Sequence, residues 1–375
     1  MTTTNDYIQD RRKLVALLRQ KGTLQDRLWC QAFLDVPRHV FVPKFTLLDA
    51  AENLVTIDRR QPEEWLAAVY SDDALVTSHD ESGIACSSST QPFVMAVMLE
   101  VLQARSGMRV LEIGTGTGYN TALLSYALGA QNVTSVEIDS AVSRAAKTAL
   151  VSLDFRPEII VGDGLQGFPA NAPYDRIIAT CSTRKVPQSW LEQTADNGVI
   201  VVNLGFGIIA LSMTTERVAS GQFHPEVAAF IEARPADGRA GLPFGELIRI
   251  VNQEPETVSQ GDNPSLITTA DFEFLLKLVI PGLSWYTRLD DLGNPERWGA
   301  TDIDSGSWIT LDHHGDMTTV SQGGARKLWP TIQTLYQSWL EAGKPSHDHY
   351  GLTIAPDGQH SLWLTNPDNV IYVLD

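Results

Sequence analysis

The chain has 375 residues, of which 43% are hydrophobic and 19% charged. That is length for two domains of about 100–200 residues each and composition for sizeable buried cores. A net charge of −17 excludes a nucleic-acid surface as the expected partner, and no apolar run is long enough to cross a bilayer.

In chain order, Arg11, Arg12 and Lys13 precede a short apolar stretch, but Arg19 and Lys21 follow at once without a small-residue cleavage site. An amphipathic helix is expected there rather than a secretory leader, and the expected location is cytoplasmic. Up to about residue 70 the chain reads as helices joined by polar loops, with Leu14, Leu17 and Leu18 on one helical face. The prolines of VPRHVFVP (36–43) interrupt them. FVMAVMLEVLQA (93–104) reads as a helix with Pro92 in its first turn, where a missing N–H costs nothing.

From residue 108 strands and helices alternate. Strands are expected at 108–114, 132–139, 156–164, 174–181 and 199–205, and helices at 119–129, 140–153 and 186–198. The apolar runs are nearly continuous, as in parallel strands covered on both faces. These units predict a Rossmann-like three-layer α/β sandwich. The alternation is lost in the Gly/Pro/Ala-rich stretch 232–245, which reads as a boundary. The expected division is 1–231 (a helical part to 105, a Rossmann-like core over 106–231) and an additional C-terminal α+β domain over 240–375, suited to substrate recognition. Within the latter, strands are expected at 307–311, 350–354, 361–365 and 370–374, a helix at 325–342, and turns at 356–358 and 366–369. From residue 231 onward there are 9 basic and 20 acidic residues, and six of the nine tryptophans lie at 285 or later. Solubility and core packing account for both, although an acidic, Trp-rich surface also suits a peptide partner.

Cys30, Cys86 and Cys181 form neither a disulfide framework nor a C-x-x-C pair. His313-His314 and His347-Asp348-His349 lack the i, i+4 spacing of a helical zinc motif, so no metal is expected.

The sharpest motif is Glu112-Ile-Gly-Thr-Gly-Thr-Gly118, where a strand ends and a helix opens. Gly114, Gly116 and Gly118 let a ligand lie against backbone where a Cβ would clash. The third glycine comes one position earlier than in a dinucleotide loop, which needs room and a helix N-terminus for a pyrophosphate. S-adenosylmethionine has no phosphate, and its ammonium can be held by a carboxylate such as Glu112. Glu137, ending the next strand, suits a carboxylate accepting both ribose hydroxyls, with Asp139 as its rival. Asp163 and Gly164, after the following strand, are placed for the adenine amino group. Each feature alone is also an ordinary turn residue, but three in order at this spacing point to S-adenosylmethionine.

Several blocks together resemble the protein-L-isoaspartate O-methyltransferase family: VPRHVFVP, Tyr70-Ser-Asp-Asp-Ala-Leu75, Ser87-Ser-Ser-Thr-Gln-Pro92, LEIGTGTGYNTALL, GDGLQGFP (162–169), APYDRIIAT (172–180) and VPQSWLEQTADNGVIVVNLG (186–205). They occur in the family's order over roughly residues 10–231. The resemblance implies methyl transfer to the carboxylate of an Asp or isoAsp residue in a peptide or protein, whose ester closes to a succinimide. It places the substrate-side hydroxyl at Thr90, where most members have Ser, with Ser89 or Ser88 able to share the role. The added methyl of threonine narrows the pocket and restricts χ1. A hydroxyl cluster before Pro92 could equally cap the helix. An acceptor carboxylate with pKa near 4 is already ionised at neutral pH, so no general base is needed, and His39 is expected to pack rather than catalyse. The roughly 145 residues past 231 resemble extended members acting on ribosomal natural-product precursors, in which aspartimide is the end product. Competing expectations are a general repair enzyme and a non-catalytic binding module; a nicotinamide dehydrogenase fits the glycine spacing poorly.

Overall fold

The computed structural model describes residues 4–48, 53–81, 83–234, 242–261, 269–314 and 317–374. The chain opens with α1 (Thr4–Gln20), α2 (Arg27–Asp35) and the single turn α3 (Arg38–Phe41), then β1 (Lys44–Leu48), β2 (Leu54–Asp58), α4 (Pro62–Val69), β3 (Leu75–His79), β4 (Ala85–Ser89) and α5 (Pro92–Leu102). Asp26 caps α2 by accepting from the Leu28 amide at 2.8 Å, and Trp29, Ala32 and Phe33 form its buried face. The four strands make an antiparallel sheet in the order β2-β1-β3-β4, which the sequence did not lead us to expect. Each strand has five residues, and β1 buries only Phe45, so there is no run of alternation to read.

The central part follows the expected alternation: β5 (Val110–Ile113), α6 (Tyr119–Leu128), β6 (Val133–Glu137), α7 (Ser140–Ser152), β7 (Glu158–Val161), β8 (Tyr174–Thr183), α8 (Gln188–Gln193) and β9 (Thr194–Leu204), followed by β10 (Gly207–Met213) and β11 (Ala219–Val227). Strands β9-β8-β5-β6-β7 are parallel neighbours; β10 adds antiparallel to β9, and β11 antiparallel to β10. The helix expected over 186–198 ends at Gln193. Thr194 is buried and pairs with Tyr174, so sheet pairing wins over the helical pattern of the residues that follow.

The remainder contains α9 (Phe244–Val251), β12 (Thr257–Gly261), α10 (Ala270–Val279), β13 (Leu283–Leu289), β14 (Pro295–Asp302), β15 (Ser307–His314), β16 (Met317–Gly323), α11 (Leu328–Glu341), β17 (Tyr350–Ile354), β18 (His360–Leu364) and β19 (Val370–Leu374). The four strands and the helix expected here are present, with the two turns joining β17 to β18 and β18 to β19. Strands β12 to β16 form a separate five-stranded antiparallel sheet. By contrast, β17, β18 and β19 continue the main sheet beyond β11, giving ten strands in all. Residues 235–241 of the expected boundary lie outside the described residues.

Side chains alternate across the main sheet and separate two cores. Val110, Ile178, Val199 and Val201 face the core built with α1, α2, α5 and α6. Their neighbours Leu111, Ile177, Ile200 and Val202 face a second core shared with Phe272, Phe274, Leu311 and Ile332. Residues after 240 thus cover the second face of the sheet that carries the glycine loop, and the two parts of the chain are packed through one core. The fold is a Rossmann-like α/β sandwich with an additional sheet-rich C-terminal region. Among the described residues no helix is long and apolar enough to cross a membrane.

Candidate active site

At the C-terminal ends of β5, β6 and β8, where open α/β sheets bind ligands, a cleft is lined by the glycine loop, by Ser87–Thr90 of the β4–α5 junction, by Val136–Ile138, by Thr180 and Cys181, and by the segment Phe230–Arg234. Gly114, Gly116 and Gly118 have φ of +89°, +53° and +88°, a region that side chains disfavour. A Cβ on Gly118 would also stand 3.1 Å from that of Ala146 on α7, and one on Gly164 would stand 2.6 Å from Ile113. Gly118 is therefore a packing glycine away from the cleft lining, whereas Gly114, Gly116 and Gly164 line it.

The acidic residues separate by role. Glu137 lines the cleft and accepts from the Gly116 amide at 2.8 Å and the Asp139 amide at 3.0 Å, which orients its carboxylate. Asp139 instead caps α7, accepting from the amides of Ala141 and Val142, and so ceases to be a rival. Asp163 caps the short turn Gly164–Gln166 through the Leu165 amide and is not part of the cleft lining.

Glu112 also lies off the cleft. It is fully buried, and its carboxylate accepts from Asn120 Nδ2 at 2.7 Å, Thr121 Oγ1 at 2.5 Å and Ser135 Oγ at 2.6 Å. Its neighbour Leu111 faces the opposite core, so the pleat of β5 turns Glu112 toward α6 rather than toward a ligand ammonium. Burial pushes its pKa up to about 7 against the lowering effect of these hydrogen bonds. The folded state then keeps a proton that the unfolded state releases. The corresponding stability is fully present below about pH 4.5 and is lost as pH rises to about 7, amounting to roughly 3 kcal/mol. Glu112→Gln keeps the shape and removes the titration. Its urea midpoint is expected to lose this pH slope, which denaturation curves taken from pH 5 to 8 on both proteins would check.

Thr90 lines the cleft and also an adjoining apolar groove formed by Ala74, Val76, Val94, Phe206, Val227 and Ile231, among others. Ser88 borders both as well. Ser89 is buried, and its hydroxyl accepts from Arg38 Nε at 3.1 Å. None of these hydroxyls caps α5. That role belongs to Asp72, which accepts from the Phe93 amide at 2.8 Å.

The residue most responsible for this loop escaped sequence reasoning although it lies inside VPRHVFVP. Arg38 is fully buried and donates to the carbonyls of Val69, Ser71, Asp73, Ser89 and Thr90 as well as to Ser89 Oγ. Burial lowers its pKa to about 10, so it stays charged at neutral pH. His39 beside it stacks on Tyr7 and meets the Tyr70 hydroxyl at 2.7 Å, away from the cleft; desolvation lowers its pKa to about 4. Cys181, which does line the cleft, is a neutral thiol with a pKa pushed up to about 12 by burial.

A family model described as Protein-L-isoaspartate(D-aspartate) O-methyltransferase matches residues 9–227. The chain belongs to this family. Proteins named protein-L-isoaspartate O-methyltransferase from Dictyoglomus thermophilum and Chlorobaculum parvum are each 32% identical, over 203 and 244 residues. These alignments cover 54% and 65% of this chain and 80% and 98% of the relatives. A solved structure of the same name, 24% identical, covers 95% of this chain and 100% of its own with a TM-score of 0.57, so the fold is shared well beyond residue 227. As a member of the family the chain is a methyltransferase with S-adenosylmethionine as cofactor. The cleft fits that group: positive-φ glycines leave room against the backbone, Glu137 offers oriented acceptors for a diol, and Val136, Ile138 and Cys181 supply apolar surface.

Proposed function

We propose that the chain methylates the carboxylate of an aspartate-derived residue, side-chain or isoaspartyl, in a peptide, and that the ester then closes to a succinimide (aspartimide). The observation that carries this is Thr90, whose residue stands on the wall shared by the cofactor cleft and the apolar groove. Bound S-adenosylmethionine supplies an electrophilic methyl group. The chain's own residues have three tasks. Thr90 donates to one oxygen of the acceptor carboxylate and leaves the other free to react. The apolar groove strips water from the flanking peptide, which raises the nucleophilicity of the anion. Arg38 fixes the loop, so the hydroxyl is placed before substrate arrives. No base is called for, and burial keeps the His39 imidazole and the Cys181 thiol neutral. Closure of the ester by the next backbone nitrogen expels methanol.

A more specific reading is that the acceptor belongs to a dedicated ribosomally made precursor rather than to damaged protein at large. Support comes from threonine at position 90 and from walls of the groove braced by the C-terminal region through Phe206 and Trp285. The extension alone does not separate the readings, because a solved structure named protein-L-isoaspartate O-methyltransferase spans 95% of this chain. Offering the protein an isoaspartyl peptide and a backbone-constrained aspartyl peptide, and weighing the products, distinguishes them. Rapid turnover of the generic isoaspartyl peptide would favour general repair.

Thr90→Val removes the hydroxyl at nearly constant shape. It is expected to lower kcat by about 10- to 100-fold while cofactor affinity stays within about twofold, as for loss of one hydrogen bond to a charged group. Thr90→Ser should keep most of the activity, and steady-state kinetics with titration calorimetry would show both.

A further inference from the structure

The segment Phe230–Arg234, which forms one wall of the cleft, is a strap that lies just past the family's matched region. Its backbone is laced to the end of β8: the Ser182 amide donates to the Ile231 carbonyl at 3.0 Å, and the Ala233 amide to the Ser182 carbonyl at 2.8 Å. Its side chain Glu232 accepts from Arg184 Nε at 2.6 Å. The same guanidinium donates through Nη1 to Asp304, also at 2.6 Å. Asp304 belongs to the turn between β14 and β15. That turn is ordered by Asp302, itself buried, which accepts from the Ser305 hydroxyl at 2.6 Å and from Arg326 at 3.1 Å. A second brace reaches the neighbouring groove, where Trp285 of β13 meets Phe206 edge-to-face with centroids 5.9 Å apart.

We infer that the acceptor side of the active cleft is composite: Asp304, acting through Arg184 and Glu232, and Trp285, acting through Phe206, are positioning residues by which the C-terminal region sets acceptor binding without touching the cofactor side. This rests on the peptide-carboxylate reading above for the identity of the acceptor, but not for the bracing itself. The glycine loop and Glu137 are carried by β5, β6 and α6 and meet the strap indirectly, by way of β8, where Thr180 donates to the Gly114 carbonyl at 2.6 Å and Ser182 holds Ile231, so a change at Asp304 acts on the strap first. A carboxylate arriving beside Thr90 meets Arg234 as the cation of the cleft lining, and the strap also carries that residue.

The test uses the full-length protein with Asp304→Asn, Asp304→Lys and Trp285→Ala. Asp304 is largely exposed, so Asp304→Asn should raise the peptide KM only about two- to threefold. Asp304→Lys faces Arg184 with a like charge and should raise it about tenfold, with S-adenosylmethionine affinity by calorimetry within about twofold of the parent. Trp285→Ala should raise the peptide KM by a similar factor, again with cofactor affinity kept. Independently of any substrate, hydrogen exchange of the Ala233 amide should be at least about fivefold faster in Asp304→Lys, with the Gly116 amide unchanged. Unaltered exchange at Ala233, an unaltered peptide KM, or a parallel loss of cofactor affinity would each overturn the proposal. If the parent protein methylates no aspartyl or isoaspartyl peptide, the functional reading fails while the exchange measurement still decides the strap.

Discussion

Arg38→Leu is expected to cost about 3–5 kcal/mol of stability, because a fully buried guanidinium leaves several carbonyls without a donor. The five carbonyls come from the stretches 69–73 and 89–90, far apart in sequence, and no leucine conformer can satisfy them. Arg38→Lys retains the charge but offers three donors on a single nitrogen in place of a planar fork, so it should recover only part of the loss. Denaturant midpoints of the three proteins would check the order parent, lysine, leucine. Because Ser89 and Thr90 are among the groups held, the variants that fold should also show a lower kcat.

The second large effect concerns Glu137. Its carboxylate is held by two backbone amides and faces the cleft, so its remaining lone pairs are aimed before ligand binds. Glu137→Ala removes the acceptors for a diol and frees the Gly116 amide that shapes the glycine loop. Loss of two hydrogen bonds to a charged group, at about 1.5–3 kcal/mol each, should weaken S-adenosylmethionine binding by at least about 100-fold. Titration calorimetry would measure this directly. Asp139→Ala, by contrast, should cost about 1 kcal/mol of stability as a lost helix cap and leave cofactor affinity nearly intact.

The parallel core was legible because its strands are buried on both faces and its turns fall on glycines, which are local signals. The sheet β1–β4 was not, since five-residue, partly exposed strands carry little period. The end of α8 was misplaced for a different reason: the partner of Thr194 is Tyr174, twenty residues earlier, and only the folded sheet brings them together. In the site, Gly114, Gly116, Gly164 and Glu137 could be read from motif and spacing, and all line the cleft. Glu112 and Asp163 belong to the same motifs, yet their carboxylates serve the protein, one in a buried hydroxyl and amide cluster and one at a turn. Sequence shows that a carboxylate is present at the end of a strand; the pleat and the local amides decide what it holds. Arg38 was hidden because its partners are main-chain carbonyls, which have no sequence signature. The C-terminal region was visible as an extension, but its pairing of β17 with β11 and the contact of its Asp304 with Arg184 are long-range.

The most direct test of the central claim is to incubate the protein with S-adenosylmethionine labelled in the methyl group and with aspartyl and isoaspartyl peptides, then follow label and peptide mass together. Carboxyl methylation with succinimide closure predicts that label first appears on the peptide as a base-labile ester. It then leaves as methanol while the peptide settles one water lighter than it began, and an asparagine replacement of the acceptor takes up no label. Label retained on nitrogen or sulfur after mild base, or transferred equally to the asparagine peptide, would contradict it.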